Sequence, residues 1–205
     1  WVGLALGFLR LNLALKSTQT DIWRAADDGF FRIARDMNVP SQAAPQIGWF
    51  RWEAYVVWLS GFALMAVIYF VKADLYLIDP DILPLQPWQA ILLALFALLV
   101  GWVGYDFLAK APWSETTRRV AIFAFLVALA FAYTRVFSGR GAFLTFGAII
   151  GTIMAANVAH YLVPNQRRML GAIRKGEAPD EARLAISRQR ALHNNYLALP
   201  VLPLA

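Results

Sequence analysis

Four stretches of this sequence are as long as a bilayer is thick and nearly free of charge: residues 54–71, 88–108, 120–137 and 141–163. A helix needs about 20 apolar residues to cross the hydrocarbon core, so each stretch reads as a full transmembrane span. Four such runs in 205 residues fit a water-soluble core poorly. Residues 1–15 and 197–205 are apolar as well and are expected to be partial spans, cut at either end. The predicted fold is all-α, a polytopic transmembrane helix bundle forming a single membrane domain over residues 1–205. Composition agrees with this. Hydrophobic residues make up 60% and charged residues 16%, against about 45–50% and 25% in soluble domains.

The formal charge is +6, but the basic residues lie in the loops between apolar runs. The expected partner is therefore the lipid bilayer, with no nucleic acid. Loop charge also predicts direction, because Lys and Arg concentrate on the cytoplasmic side. Alternate loops hold 15 of them: Lys16, Arg24, Arg32, Arg35 and Arg51, then Lys110, Arg118 and Arg119, then seven between Arg167 and Arg190. The opposite loops hold 3, Lys72, Arg135 and Arg140. The odd loops are thus expected in the cytoplasm, and the acidic stretch with Asp74, Asp79 and Asp81 outside.

Within the first loop, Ile22, Ala26, Phe30, Ile33 and Met37 recur at helical spacing. That pattern predicts a cytoplasmic amphipathic helix over residues 21–37, although Gly29 weakens it. In the last loop the fourth span is expected to end at Pro164. Residues 175–179 read as a polar turn, residues 180–190 as a short basic helix, and a final span as opening near Asn195. Gly147 and Gly151 form a G-x-x-x-G pair extended by Ala155, the pattern that lets membrane helices approach closely.

Ionisable side chains at membrane depth mark functional candidates, because burying them is costly. Asp106, His160 and His193 qualify, and Asn157 shares a helical face with His160. A haem held by His160 and His193 is disfavoured, since both are expected at helix ends. Two His with scattered carboxylates show no metal-ligand spacing. With 0 Cys the chain has no disulfide, no thiolate metal site, no cysteine nucleophile and no C-x-x-C-H haem attachment.

Several unusual strings occur in order. They are Trp49-Phe50-Arg51-Trp52-Glu53-Ala54-Tyr55, Trp58-Leu59-Ser60-Gly61-Phe62-Ala63-Leu64, Tyr76-Leu77-Ile78-Asp79-Pro80 and Phe137-Ser138-Gly139-Arg140. Gly151-Thr152-Ile153-Met154, Asn157-Val158, Pro164-Asn165-Gln166-Arg167-Arg168, His193-Asn194-Asn195-Tyr196 and Leu199-Pro200 follow. Together they resemble the membrane domain of the cytochrome c-linked urate oxidases, or urate hydroxylases. The resemblance implies eight spans followed by a c-type cytochrome domain, of which this chain would be roughly the first six spans. It implies oxidation of urate to 5-hydroxyisourate, with electrons passed to a c-type haem in a C-terminal domain outside these residues. No cofactor is expected within them. The implied location is the bacterial inner membrane.

The chain departs from the family pattern at His160, where an apolar residue is expected, and over residues 25–32. Where the family carries V-H-G-G-G-F-Y-H, residues 25–32 read Ala-Ala-Asp-Asp-Gly-Phe-Phe-Arg, so Ala26 and Arg32 replace histidines. This leaves an alternative open: a non-catalytic membrane anchor, or an accessory subunit of a respiratory or photosynthetic electron-transfer complex. A transporter is disfavoured, because paired broken helices and an internal repeat are missing from the sequence.

A urate site needs groups for a flat anion, and an Arg fork with amides suits one. Asn165, Gln166, Arg167 and Asn194 are the candidate substrate-binding residues. His193 is the candidate catalytic base, because imidazole titrates near neutrality. The competing reading is that residues 165–168 cap a helix end and meet lipid phosphates. The Asn165–Arg167 and His193–Asn195 segments are expected to be two turns lying side by side.

Overall fold

A computed structural model describes residues 22–26, 29–33, 51–178 and 180–199. Two short strands, β1 (Ile22–Ala26) and β2 (Gly29–Ile33), are followed by helices. These are α1 (Arg51–Met65, continued by a π-helical turn, Ala66–Phe70), α2 (Ala73–Tyr76), α3 (Pro87–Lys110) and α4 (Glu115–Tyr133). Next come α5 (Gly139–Asn157, continued by a π-helical turn, Val158–Leu162), α6 (Val163–Arg174) and α7 (Glu181–Ala198). The described residues divide into two compact units, one of residues 51–163 and one that holds β1, β2 and residues 164–199.

The first unit is a helical bundle. Pro87–Lys110 and Glu115–Tyr133 are long and apolar enough to cross a membrane, as is the helical run Gly139–Ile173. Ala54–Phe70 is a shorter apolar helix. The expected span over residues 120–137 is shifted, since α4 starts at Glu115 and stops at Tyr133. Its start is set by Ser114, whose Oγ accepts the Thr117 N–H at 3.2 Å, satisfying one of the orphan donors of a helix N-terminus. α5 starts the same way. Ser138 Oγ accepts the Gly141 N–H at 3.1 Å and donates to the Tyr76 carbonyl at 2.7 Å, tying the helix start to α2. Pro87 opens α3, and Gln86 and Gln89 close a reciprocal capping box over its first turn.

Packing in this unit reverses the soluble pattern. The buried face of α3 is made of Ala90, Ala94, Ala97, Gly101, Tyr105 and Ala109, with Leu98. Its exposed face carries Leu92, Phe96, Leu99, Val103 and Phe107. Small residues let helix backbones approach, and large apolar ones suit a lipid-facing surface. A Cβ at Gly101 would lie 2.4 Å from Ile149 Cγ2, and one at Gly104 would lie 2.4 Å from Phe125 Cζ. Close approach therefore occurs at Gly101 and Gly104 of α3. At Gly151, half of the expected G-x-x-x-G, a Cβ would meet nothing within 4 Å.

Other expectations also change. Ile22–Ala26 and Gly29–Ile33 pair antiparallel, from Ile22↔Ile33 to Ala26↔Gly29, where an amphipathic helix was expected. Aromatic and β-branched residues such as Ile22, Trp23, Phe30, Phe31 and Ile33 suit strands, and Asp-Gly sequences such as Asp28-Gly29 favour hairpins. The fourth span does not end at Pro164: helical backbone continues to Ile173. Proline crowds the carbonyl four residues back, here that of His160. The π-helical turn Val158–Leu162, closed by Val163 N–H to the Val158 carbonyl, falls at that point. Such turns widen a helix without breaking it. The predicted short helix over residues 180–190 and the start of the predicted last span form one helix, α7. The partial span at residues 1–15 lies outside the described residues, as do residues 200–205.

Candidate functional site

The candidate base His193 and the candidate substrate-binding residues Asn165, Gln166, Arg167 and Asn194 all fall on α6 or α7, within one compact unit. α6 ends in a Schellman motif: Gly176 has φ +74°, Glu177 N–H reaches the Ala172 carbonyl at 2.9 Å, and Gly176 N–H reaches that of Ile173 at 3.0 Å. Asp180 caps the start of α7. Its Oδ1 accepts the Ala182 N–H at 3.0 Å and the Arg183 N–H at 3.3 Å. Its Oδ2 takes the Arg183 guanidinium at 2.9 Å. The backbone hydrogen bond from Arg183 is the main cause holding the Asp180 carboxyl below the usual carboxylate range.

Asn165 is buried, and its Nδ2 donates to Ser187 Oγ at 3.1 Å and to the Arg183 carbonyl at 3.4 Å. The α6 amide thus does reach α7. It lands six residues before His193, which is about 9 Å along a helix axis. Gln166 and Arg167 are exposed, Asn194 is half-buried, and His193 is buried inside α7. The two segments expected as adjacent turns are both helical.

Ser187, Arg190 and His193 are 7%, 1% and 4% exposed and stand three residues apart, so they form one buried polar face of α7. Sequence reasoning missed Ser187 and Arg190 because it ended one helix at Arg190 and opened another near Asn195. The signal was the spacing of three, visible only once a single helix is drawn through both segments.

A second polar group lies in the other unit. The Asn157 amide donates to the Tyr105 hydroxyl at 2.9 Å, and both side chains are fully buried. The Tyr161 hydroxyl donates to Asp106 Oδ1 at 2.6 Å, and Lys110 Nζ lies 2.6 Å from the other oxygen. Trp102 packs its ring against those of Tyr105, His160 and Tyr161. His160 is exposed, with Nδ1 at 3.1 Å from the Ala156 carbonyl. It lies within the continuing helix, not at the helix end expected for it, and the same holds for His193 in α7. Asp106, Asn157 and His160 were legible as polar residues in apolar runs, whereas Trp102 and Tyr161 were not. Among the described residues no group of three or more His, Asp or Glu side chains could hold a metal ion.

The family model described as urate oxidase N-terminal matches residues 1–205. No curated protein and no solved structure matches the chain.

Proposed function

The chain belongs to the urate oxidase N-terminal family, and from that membership we propose that it is the membrane part of an enzyme oxidising urate to 5-hydroxyisourate. The reaction adds water to urate: a C–O bond forms at C5, and two protons and two electrons leave. This reading makes His193 the base that accepts a proton from the attacking water. Asn165, Gln166, Arg167 and Asn194 supply amide and guanidinium donors for a flat, anionic ring. The electrons pass to a c-type cytochrome domain or subunit. The 205 residues contain 0 Cys, so they cannot form the thioether attachment of such a haem. That attachment has to come from sequence or a subunit outside them.

The observation that carries the reading is the family match across residues 1–205. The buried polar face of α7 supports the placement of the site. The test is urate consumption and urate-driven reduction of c-type haem in membranes holding the full-length protein. His193→Ala and Arg167→Ala are measured separately. Loss of turnover with unchanged unfolding temperature supports the assignment, and retained turnover in His193→Ala removes it as the base.

A specific departure favours a second reading. Ala26 and Arg32 stand where the family pattern has histidines. A protein without urate turnover that co-purifies with a larger electron-transfer complex would be an anchor or accessory subunit.

The proposed location is the bacterial inner membrane with the odd loops in the cytoplasm. It rests on the 15-to-3 division of Lys and Arg between alternate loops.

A further inference from the structure

An open groove between the 79–82 turn and the C-terminal end of α4 carries charge of both signs. It is lined by Asp81, Ile82, Phe131, Thr134 and Arg135 and has a volume of about 720 Å³, within the range of about 300–1,000 Å³ that suits small ligands. Asp81 and Arg135 are exposed, and among the described residues neither has an ion-pair partner. Each is placed by other contacts. The Asp81 N–H donates to Asp79 Oδ1 at 3.1 Å and the Ile82 N–H to the Asp79 carbonyl at 3.1 Å, which fixes the turn. The Arg135 guanidinium lies over the Phe131 ring, 5.1 Å from its centre, so one face is covered and the N–H edge is left for a ligand. The Thr134 hydroxyl donates to the Phe131 carbonyl at 2.7 Å, which leaves its oxygen as an acceptor. The groove therefore offers two acceptors, Asp81 and Thr134, and one donor fork, Arg135. That set complements a ligand with an ammonium and a phosphate.

Below the groove, Phe123, Val127 and Phe131 are exposed at four-residue spacing along α4. They cover about 12 Å of helix axis, inside the about 15 Å that one leaflet gives to the hydrocarbon core. We propose that groove and stripe together bind phosphatidylethanolamine, a phospholipid with a primary ammonium. Its phosphate meets Arg135, its ammonium sits between Asp81 and Thr134, and an acyl chain lies along the stripe. The leaflet is the one at the C-terminal end of α4, the outer one under the orientation proposed above. Donor count decides the headgroup. A primary ammonium has three N–H donors, whereas the quaternary choline ammonium has none. A glycerol headgroup brings no positive charge to Asp81. The inference does not depend on the urate-oxidising reading.

The test uses the full-length protein in detergent, with native mass spectrometry reading the bound lipid. Phosphatidylethanolamine, phosphatidylcholine and phosphatidylglycerol with identical acyl chains compete at equal concentration. Wild type is expected to favour the ethanolamine lipid over each of the others by about two- to fivefold, since the groove is open to water. Asp81→Asn should bring the ethanolamine-to-choline ratio to about one. Arg135→Gln should weaken both of these lipids alike, by about two- to fivefold. The control Arg140→Gln makes the same charge change at an exposed residue that lies over Tyr76, outside the groove lining, and should leave both unchanged. Unfolding temperatures check that the variants fold. Equal binding of the three lipids to wild type overturns the proposal without any variant, and that comparison decides if Asp81→Asn does not fold. A preference that survives in folded Asp81→Asn overturns it too. Displacement of the lipid by an equal concentration of phosphoethanolamine, which has no acyl chains, would make this a site for a soluble zwitterion and overturn the lipid assignment.

Discussion

The Tyr161 hydroxyl donates to Asp106 Oδ1 at 2.6 Å, joining residues 55 apart in sequence and fixing the π-helical turn of α5 to the last turns of α3. Lys110 holds the other carboxylate oxygen at 2.6 Å, and the carboxylate side chain is only 17% exposed. Tyr161→Phe leaves that carboxylate with one donor fewer in a largely buried place. The expected cost is about 1–3 kcal/mol, read as a lower unfolding temperature in detergent. An unchanged transition would show that water replaces the phenol without loss.

Gly101 packs directly against α5, since an added Cβ would lie 2.4 Å from Ile149 Cγ2. Gly101→Ala is expected to destabilise the bundle by about 1–3 kcal/mol through overpacking. Pairing it with Ile149→Ala should recover part of that loss, so the two changes will not add. Gly151→Ala meets open space and should be nearly neutral. Thermal unfolding of the three variants and the double mutant checks the ranking.

The Asp180 cap makes the start of α7 sensitive to acid. Its carboxyl titrates below the ordinary carboxylate value when folded, chiefly through the backbone hydrogen bond from Arg183. The native state therefore binds fewer protons than the unfolded one. The cap's contribution is complete above the ordinary carboxylate value and disappears as pH falls through the lowered one. Amide protection factors at Ala182 and Arg183 should fall on acidification in the wild type. In Asp180→Asn, which keeps an acceptor oxygen but cannot ionise, they should stay flat over the same range.

Leu99 lies near the middle of α3 and is exposed, on the face that carries Phe96 and Val103. If that face meets lipid, Leu99→Arg should oppose membrane insertion by about 2.5–3.5 kcal/mol. Gly101, two residues on, faces α5 instead. A glycosylation-reporter insertion assay on the isolated α3 sequence measures the change. Full insertion of the Leu99→Arg segment would contradict a lipid-facing position.

Because residues 1–205 contain 0 Cys, single cysteines placed among them report topology without background from this segment. Lys110→Cys and Arg118→Cys should resist a membrane-impermeant thiol reagent applied to intact cells. Lys72→Cys and Arg140→Cys should react. The reverse pattern would invert the orientation read from loop charge.

The spans were legible because the bilayer imposes a length and a chemistry that a sequence must meet locally. Residues 88–108 had to be helical and apolar whatever their neighbours were, and α3 covers them. The serine caps and the Pro87 start are likewise local chemistry. Outcomes that depend on competition between distant groups were not legible. Pro164 reads as a helix stop, yet the helix passes it because a π-helical turn relieves the crowding at His160. Gly151 reads as a packing glycine, yet Gly101 and Gly104 are the ones shown against partner helices, since which face turns inward is decided between helices. The polar residues show the same division. Residue type alone marked Asn165 and His193 as candidates. Only the tertiary structure set Asn165 on Ser187 and buried Arg190 beside His193, because burial is a property of the surroundings and not of the residue.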